Sequence, residues 1–266
     1  MNATQAVEAP HFLIEPLENG AIFRLNRPHK LNAITKQIKQ GLRECLDGLE
    51  QRKARVLLIV GEGERAFCAG TDLAEWPTLS IDERAATSAL AREFLYRLSR
   101  SSVLSIAAMN GLAFGGGLEL AMACTFRVAA PHVEVSLPEI KLGLIPAYAG
   151  TQFLPALIGQ SRALEMMLTG RRVPTQEAHA MGLLNRIAQP GVSALDAART
   201  LAAEVCGYGA VAISAVRQSV DAAGPAVTVQ GLAVEDAQVR RVAHSEDARE
   251  GVRAFLEKRA PKFTGR

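Results

Sequence analysis

Two predicted strands, each followed by a glycine turn, constrain the fold of this chain more than any other feature. Residues 56–60 are all apolar and end at Gly61, and residues 103–109, apolar except for Ser105, end at Asn110-Gly111. A strand that is apolar at every position, such as 56–60, is typical of sheets with both faces covered. Because helices are predicted between these strands, the repeated order of strand, glycine turn and helix indicates an α/β fold.

The segments around these two runs follow the same alternation. Asn19-Gly20 predicts a hairpin turn, joining strands at 11–15 and 21–26. Thr35 is a suitable N-cap for a helix that continues to about Arg52, because apolar residues recur there at helical spacing. A further helix is predicted over residues 80–100, and strands over 126–129 and 133–136.

The character of the chain changes near residue 193. Alanine-rich segments at 194–206, 210–222, 228–243 and 246–257 predict helices, and the strand signals end. We therefore expect an α/β core over residues 1–192 and a helical region over 193–266. The apolar faces of that region are expected to pack on the core or on another subunit.

Composition excludes several classes of protein. With 266 residues, 48% of them apolar, the chain can bury a substantial core. A net charge of +3 argues against nucleic acid as the main partner, while allowing a local basic rim for an anionic ligand. The four cysteines are widely separated, which indicates thiols rather than disulfides or zinc. No signal peptide or bilayer-spanning stretch is predicted, so we expect a cytoplasmic location.

The segment Phe114-Gly115-Gly116-Gly117-Leu118-Glu119 carries the clearest chemical signal. Glycines before a helix bring backbone N–H groups close to a ligand, where unpaired donors stabilise developing negative charge. Glu119 and Glu139 are too far apart in sequence to share one helix face, but a fold that joins their segments would pair them. The pattern indicates acid/base chemistry on a carbonyl compound. Taken alone, a triple glycine is more often a turn or close-packing site than an oxyanion hole, and either glutamate fits a structural role.

Four motifs in order give the chain a specific resemblance. They are Asn26-Arg27-Pro28 with Leu31-Asn32-Ala33, the segment from Ala66 to Leu73, the triple-glycine segment, and Leu142-Gly143-Leu144-Ile145-Pro146 running into Gly150-Thr151-Gln152. Over nearly its whole length the chain resembles the crotonase (enoyl-CoA hydratase/isomerase) superfamily. The resemblance implies a spiral of ββα units with a C-terminal helical region.

The resemblance also implies an activity. Backbone N–H groups of Ala69 and Gly116 would form an oxyanion hole for a thioester oxygen, with Glu119 and Glu139 as the acid/base pair. Both glutamates are present, as in the hydratase branch, which implies a lyase that adds water reversibly and in syn geometry to 2-enoyl-CoA, giving 3-hydroxyacyl-CoA in fatty acid metabolism. The alternatives are an enoyl-CoA isomerase or another crotonase-family acyl-CoA lyase.

The resemblance further implies how the substrate is held. Coenzyme A belongs to the substrate, and no metal or redox cofactor is implied. The implied contacts to coenzyme A are Lys30, Leu31, Ala33, Ala69, Gly70, Thr71, Asp72, Phe255 and Lys258, and the implied acyl-pocket residues are Trp76, Phe94 and Tyr148. Without the resemblance, the lysines fit a solvated surface and the aromatic residues a packed core. Homotrimers or hexamers are expected from the family.

Two positions depart from the family pattern. Ala147-Tyr148-Ala149 stands where hydratases usually have a glycine-rich segment, and Leu137 replaces a common glutamine before Pro138-Glu139. Tyr148 adds bulk and a hydroxyl near the expected site, while alanine at 147 tolerates a positive φ less well than glycine. The acyl chain length, branching and pathway are not readable from these residues.

Two alternatives of a different class stay open. Lys36, Lys39 and Arg43 form a basic stripe on the first predicted helix, and some crotonase relatives bind RNA, so an RNA-binding homologue is the first. Neither a strong net charge nor interleaved aromatic residues accompany the stripe, which favours a solvated helix face. The second is an inactive scaffold that uses its helical region only for assembly.

Overall fold

The computed structural model describes residues 9–72, 80–223, 236–237, 239, 241–242 and 244–266, without the side chains of Ile81, Phe255 and Leu256. The chain forms two compact units, Met1–Arg199 and Thr200–Arg266, and each is described by itself. The first unit contains both sheets. The predicted α/β class is confirmed there.

A six-stranded sheet forms the centre of the first unit. Its strands, in spatial order, are β1 (Phe12–Leu17), β2 (Gly20–Leu25), β3 (Val56–Gly61), β5 (Leu104–Met109), β7 (Phe126–Ala129) and β10 (Arg186–Ile187). The β1–β2 pair is the predicted hairpin and is antiparallel, whereas the other pairs are parallel. All residues of β3 are buried, which confirms the cover on both faces that its continuous apolar run predicts, and all residues of β5 are buried as well.

A second sheet consists of four short strands. They are β4 (Ala66–Cys68), β6 (Leu112–Phe114), β8 (Glu134–Ser136) and β9 (Val173–Pro174). Each of β3, β5 and β7 is followed directly along the chain by one of β4, β6 and β8, so each of these three turns contributes one strand to each sheet. With the intervening helices, this is the predicted spiral of ββα units.

The helices of the first half begin where the sequence supplies caps. α1 (Lys36–Gln51) begins after Thr35, whose side chain accepts a hydrogen bond from the Ile38 N–H. α2 (Ile81–Arg100) begins after Ser80, which forms a reciprocal capping box with Glu83. α3 (Gly116–Ala123) is buried along its whole length and packs against β6 and α2.

The remainder of the first unit follows β8. A short 3₁₀ helix (Glu139–Leu142) leads into α4 (Gly150–Ile158) and α5 (Gln160–Thr169), and α6 (Thr175–Ala180) precedes β10. α4 packs on α3, which places the segment before α4 beside the glycine-rich helix start.

Helices alone form the described secondary structure beyond residue 193. They are α7 (Ala194–Cys206), which crosses the boundary between the units, α8 (Ala210–Asp221) and α9 (Glu246–Leu256). In the second unit, the Asp247 carboxylate accepts hydrogen bonds from the backbone N–H groups of Thr264 and Gly265, which ties the C-terminus to α9. The helix predicted at 228–243 falls mostly outside the described residues. None of the described helices is long and apolar enough to cross a membrane.

Candidate active site

The glycine-rich segment turns sharply into α3. Gly115 is the N-cap at φ 51° and ψ −130°, a conformation that side-chain-bearing residues rarely adopt. Gly117 has a different requirement, because a Cβ there would lie 2.2 Å from the Cys68 carbonyl oxygen. One glycine therefore permits the turn, and another permits the close approach of α3 to the end of β4.

The loop after β4 meets this turn directly. Gly70 has φ +104°, and a Cβ on it would lie 3.0 Å from the Phe114 carbonyl oxygen and 3.3 Å from the Gly116 nitrogen. A Cβ on Gly116 would in turn lie 3.5 Å from Thr71 Oγ1. The two glycine-containing loops, although distant in sequence, are therefore in contact.

The donor on the loop after β4 differs from the predicted one. The Ala69 N–H donates to the Leu31 carbonyl oxygen at 2.9 Å, so it is engaged within the protein. Thr71 forms a parallel bridge with Ile34, in which the Ile34 N–H donates to the Gly70 carbonyl oxygen and the Asp72 N–H donates to the Ile34 carbonyl oxygen. The Thr71 N–H therefore points to the other side. No acceptor in the described residues pairs with the N–H of Thr71.

The second predicted donor agrees with this geometry. Gly116 is the first residue of α3, where helix N–H groups have no intrahelical acceptor. Within the described parts of the chain, its N–H also has no other acceptor. Thr71 and Gly116 are thus the adjacent pair of donors, and the Ala69 assignment is corrected to Thr71.

Glu119 lies one turn into α3 and is 1% exposed. Its Oε1 accepts hydrogen bonds from the N–H groups of Tyr148, at 2.8 Å, and Gly150, at 2.7 Å. Burial raises the pKa of Glu119 to about 7, and the Glu139 charge adds to the rise. The two N–H groups and the Arg92 guanidinium act in the opposite direction, since they stabilise the ionised form.

Glu139 opens the 3₁₀ helix after β8 and is partly buried. Its Oε1 lies 3.0 Å from the position of a Cβ on Gly115, so the carboxyl group faces the glycine turn. Its Oε2 is buried and has no hydrogen-bond partner among the described residues. Burial raises the pKa of Glu139 as well. The site therefore brings together two carboxyl groups whose pKa values are both raised by burial.

The departure segment 147–149 contacts Glu119 through the Tyr148 N–H group. Ala149 takes a left-handed conformation at φ 81°, whereas Ala147, the residue at which strain was predicted, does not. Gly150 is required next to it, because a Cβ there would lie 2.8 Å from Glu119 Oε1. Leu137, the second departure, is fully buried in the core.

Tyr148 is 5% exposed and contacts the donor pair. Its Cδ2 and Cε2 lie 3.1 Å from the position of a Cβ on Gly116, and its hydroxyl accepts a hydrogen bond from Thr71 Oγ1 at 2.9 Å. Lys39, from the basic stripe on α1, has its Nζ 6.0 Å from the centre of the Tyr148 ring. One member of that stripe thus lies beside the site.

A buried ion pair holds the Thr71 loop. Arg27 Nη1 donates to Asp72 Oδ2 at 2.8 Å and to the Ala33 carbonyl oxygen at 3.2 Å. The Asn32 side chain binds the Ala66 carbonyl oxygen at 2.8 Å, so the predicted segments 30–33 and 69–72 lie side by side. Arg92, which sequence reasoning missed, donates to the Ala147 carbonyl oxygen at 3.1 Å.

The remaining predicted contacts are less closely connected to this centre. Lys30 is exposed, and Phe94 is buried on α2. Lys258 is exposed in the second unit at φ 54°. Trp76 and the Phe255 side chain lie outside the described residues. In the described part of the chain, no cluster of three or more His, Cys, Asp or Glu side chains could hold a metal ion.

Comparison with known proteins extends these observations to the whole chain. A family model described as enoyl-CoA hydratase/isomerase matches residues 18–266. The mouse mitochondrial methylglutaconyl-CoA hydratase is 36% identical over 248 residues, which cover 92% of this chain and 79% of that protein. The human mitochondrial enoyl-CoA hydratase domain-containing protein 2 is 38% identical over 246 residues, covering 91% and 84% respectively.

A solved structure matches the fold with similar coverage. The crystal structure of enoyl-CoA hydratase from Bacillus anthracis superposes with a TM-score of 0.91 at 31% identity, covering 96% of this chain and all of that one. Sequence and fold therefore agree with the same group of proteins.

Proposed function

Because the chain belongs to the enoyl-CoA hydratase/isomerase family and is a crotonase-type enzyme, we propose that it is an enoyl-CoA hydratase. The reaction is the reversible syn addition of water to 2-enoyl-CoA, giving 3-hydroxyacyl-CoA. The observation that carries this proposal is the convergence of a buried and a partly buried carboxyl group, both with raised pKa values, near one pair of backbone donors.

The donors polarise the thioester. Hydrogen bonds from the Thr71 and Gly116 N–H groups to the thioester oxygen withdraw electrons from the conjugated double bond, which makes C3 electrophilic. When the water oxygen bonds to C3, the π electrons move through C2 to the thioester oxygen. The same two N–H groups then stabilise the enolate charge, and because that charge exists chiefly in the transition state and intermediate, their effect lowers the barrier.

The carboxyl groups divide the proton transfers. Glu119 accepts a proton from the attacking water, because its two N–H bonds support the ionised form that a base requires. Glu139 donates a proton to C2, because its buried Oε2, without a partner in the described residues, favours the protonated form of an acid. The C–O bond at C3, the C–H bond at C2 and the restored thioester carbonyl complete the product.

The enzyme binds its substrate through the coenzyme A group. We place its contacts on residues 30–33 and 69–72, which lie side by side, with Phe255 and Lys258 as the predicted C-terminal contacts. These steps require no metal or redox cofactor beyond the coenzyme A of the substrate. A homotrimer or hexamer in the cytoplasm stays part of the proposal.

The test follows the ultraviolet absorption of the conjugated thioester. Absorption should fall when crotonyl-CoA is mixed with the protein, and 3-hydroxybutyryl-CoA should appear in equal amount. A well-folded protein that leaves crotonyl, longer and branched 2-enoyl thioesters unchanged is not a hydratase. Conversion of a 3-enoyl thioester to its 2-enoyl isomer, without hydration, would identify the isomerase alternative instead.

A further inference from the structure

Tyr148 contacts three residues of the candidate site, Glu119, Thr71 and Gly116. Its backbone N–H donates to the Glu119 carboxylate at 2.8 Å. Its ring lies against Gly116, and its hydroxyl accepts a hydrogen bond from Thr71 Oγ1. The residue therefore extends from the base at one end to both thioester donors at the other.

A bound acyl group would follow the same line. Its thioester oxygen would meet the N–H groups of Thr71 and Gly116, and its C3 would face Glu119. The Tyr148 ring, which contacts two of these three residues and adjoins the third, therefore lies alongside the first carbons of the acyl chain. Additional carbons or branches have to pass this ring.

The ring is held in place from several directions. Tyr148 is 5% exposed, so turning it outward would transfer an aromatic side chain to water. The same movement would break the hydrogen bond with Thr71. The flanking backbone is also constrained, since the Ala147 carbonyl oxygen accepts from Arg92 and the Gly150 N–H donates to Glu119.

We propose that Tyr148 is the specificity-determining residue of the acyl pocket and restricts this enzyme to short acyl thioesters. The inference rests on the proposed hydratase function. A short acyl group ends beside the fixed ring, whereas a longer chain has to displace this well-packed side chain, which is costly. The aromatic ring is thus the proposed wall of the acyl pocket, and its hydroxyl fixes its orientation.

The experiment compares kcat/KM for 2-decenoyl-CoA with kcat/KM for crotonyl-CoA. Wild-type protein should prefer crotonyl-CoA. Tyr148→Ala should raise the decenoyl-to-crotonyl ratio at least about tenfold, the order of selectivity that pocket size provides. Tyr148→Phe keeps the ring and should leave the ratio within about threefold of wild type, well under that pocket-size effect. Tyr96→Ala, the same change at an exposed position on α2, should leave the ratio unchanged.

Several outcomes would overturn the proposal. A wild-type enzyme that prefers decenoyl-CoA would show that the Tyr148 ring does not limit acyl length. A folded Tyr148→Ala variant with the wild-type decenoyl-to-crotonyl ratio would show that another residue sets the limit. If Tyr148→Phe raised this ratio as far as Tyr148→Ala, the hydroxyl and not the ring would set the limit. If Tyr148→Ala does not fold, Tyr148→Leu removes the distal ring with a smaller loss of volume and should raise the ratio in the same direction.

A binding measurement separates this inference from the hydratase assignment. Saturated butyryl-CoA and decanoyl-CoA cannot be hydrated, so calorimetric titration with each reports pocket size without turnover. Tyr148→Ala should improve decanoyl-CoA binding relative to butyryl-CoA even if no enoyl thioester is hydrated. An unchanged binding ratio would overturn the proposal that the Tyr148 ring limits the acyl pocket, whether or not the wild-type protein is a hydratase.

Discussion

The surroundings of Glu119 and Glu139 differ in a way that fits the two different roles proposed for these glutamates. Glu119 lies within a fully buried helix, and two backbone N–H groups bind one of its oxygens. Glu139 begins a short 3₁₀ helix in which no residue is fully buried, and its buried oxygen has no partner within the described residues. Hydrogen bonding, more than burial, distinguishes the two, because burial raises both pKa values.

The largest effect is expected from Glu119→Gln. Glutamine cannot accept the proton of water, so we expect the hydration kcat to fall about 10³-fold or more. Exchange of the C2 protons of butyryl-CoA with D₂O, followed by NMR, should continue, because it requires Glu139 and the donors. Glu64→Gln, at an exposed position, is the matched control. Loss of both reactions would contradict the division of roles.

Glu139→Gln should lower hydration about 10²- to 10³-fold. In contrast to the Glu119 variant, it should also abolish C2 proton exchange, because the group that delivers and removes that proton is missing. The same NMR assay measures both. Exchange at the wild-type rate would show that another acid serves C2.

Gly150→Ala tests the geometry that holds Glu119. The new Cβ would lie 2.8 Å from Glu119 Oε1, so the carboxylate or the loop has to move. We expect kcat to fall about 10- to 100-fold, the size of effect that misplacing a catalytic group causes. Gly48→Ala, on α1 with no heavy atom within 4 Å of the added Cβ, should leave kcat unchanged. Equal kcat values for the two variants would show that the contact can relax.

The raised pKa of Glu119 also predicts a pH-dependent stability. Its folded-state value of about 7 exceeds the ordinary 4.5, so its contribution is fully present below pH 4.5 and is lost as pH rises to about 7. The loss amounts to roughly 3 kcal/mol. Urea unfolding at pH 5 and pH 8 should show a smaller decrease for Glu119→Gln than for wild type. Parallel decreases would place the titrating group elsewhere.

The smallest expected effect concerns Arg92. Its guanidinium lowers the pKa of Glu119, so Arg92→Gln should raise that pKa and displace the acidic limb of the kcat/KM profile to higher pH. The hydration kcat at its optimum should change little. Arg100→Gln, at the end of the same helix, is the control and should leave the limb in place. A displacement to lower pH would contradict the favourable interaction.

Much of this arrangement follows from local signals in the sequence. The apolar runs, the Asn19-Gly20 turn, the Thr35 cap and the helix predicted over residues 80–100 correspond to elements that the structure contains. These signals are short-range, and each is complete within a few residues. The family resemblance is confirmed by the matched family model and the solved hydratase fold.

What the sequence could not provide depends on pairing between distant segments. The orientation of the N–H groups at 69 and 71 is set by the bridge to Ile34, and motif position alone placed the donor at Ala69 instead of Thr71. Strain was expected at Ala147 but lies at Ala149, because the backbone has to present N–H groups at both 148 and 150 to Glu119. Arg92 gave no local signal at all.

The pairing of β4 with β6 has a consequence for how such an enzyme can change. Thr71 and Gly116 follow these neighbouring parallel strands within a few residues. Neighbouring strands lie about 4.8 Å apart because backbone hydrogen bonds fix their distance. The separation of the two proposed thioester donors is therefore anchored in main-chain geometry, largely independent of side chains. On the proposed function, substitutions in the segment before α4 would alter which acyl group is accepted, while the two N–H groups that hold its carbonyl would stay in place.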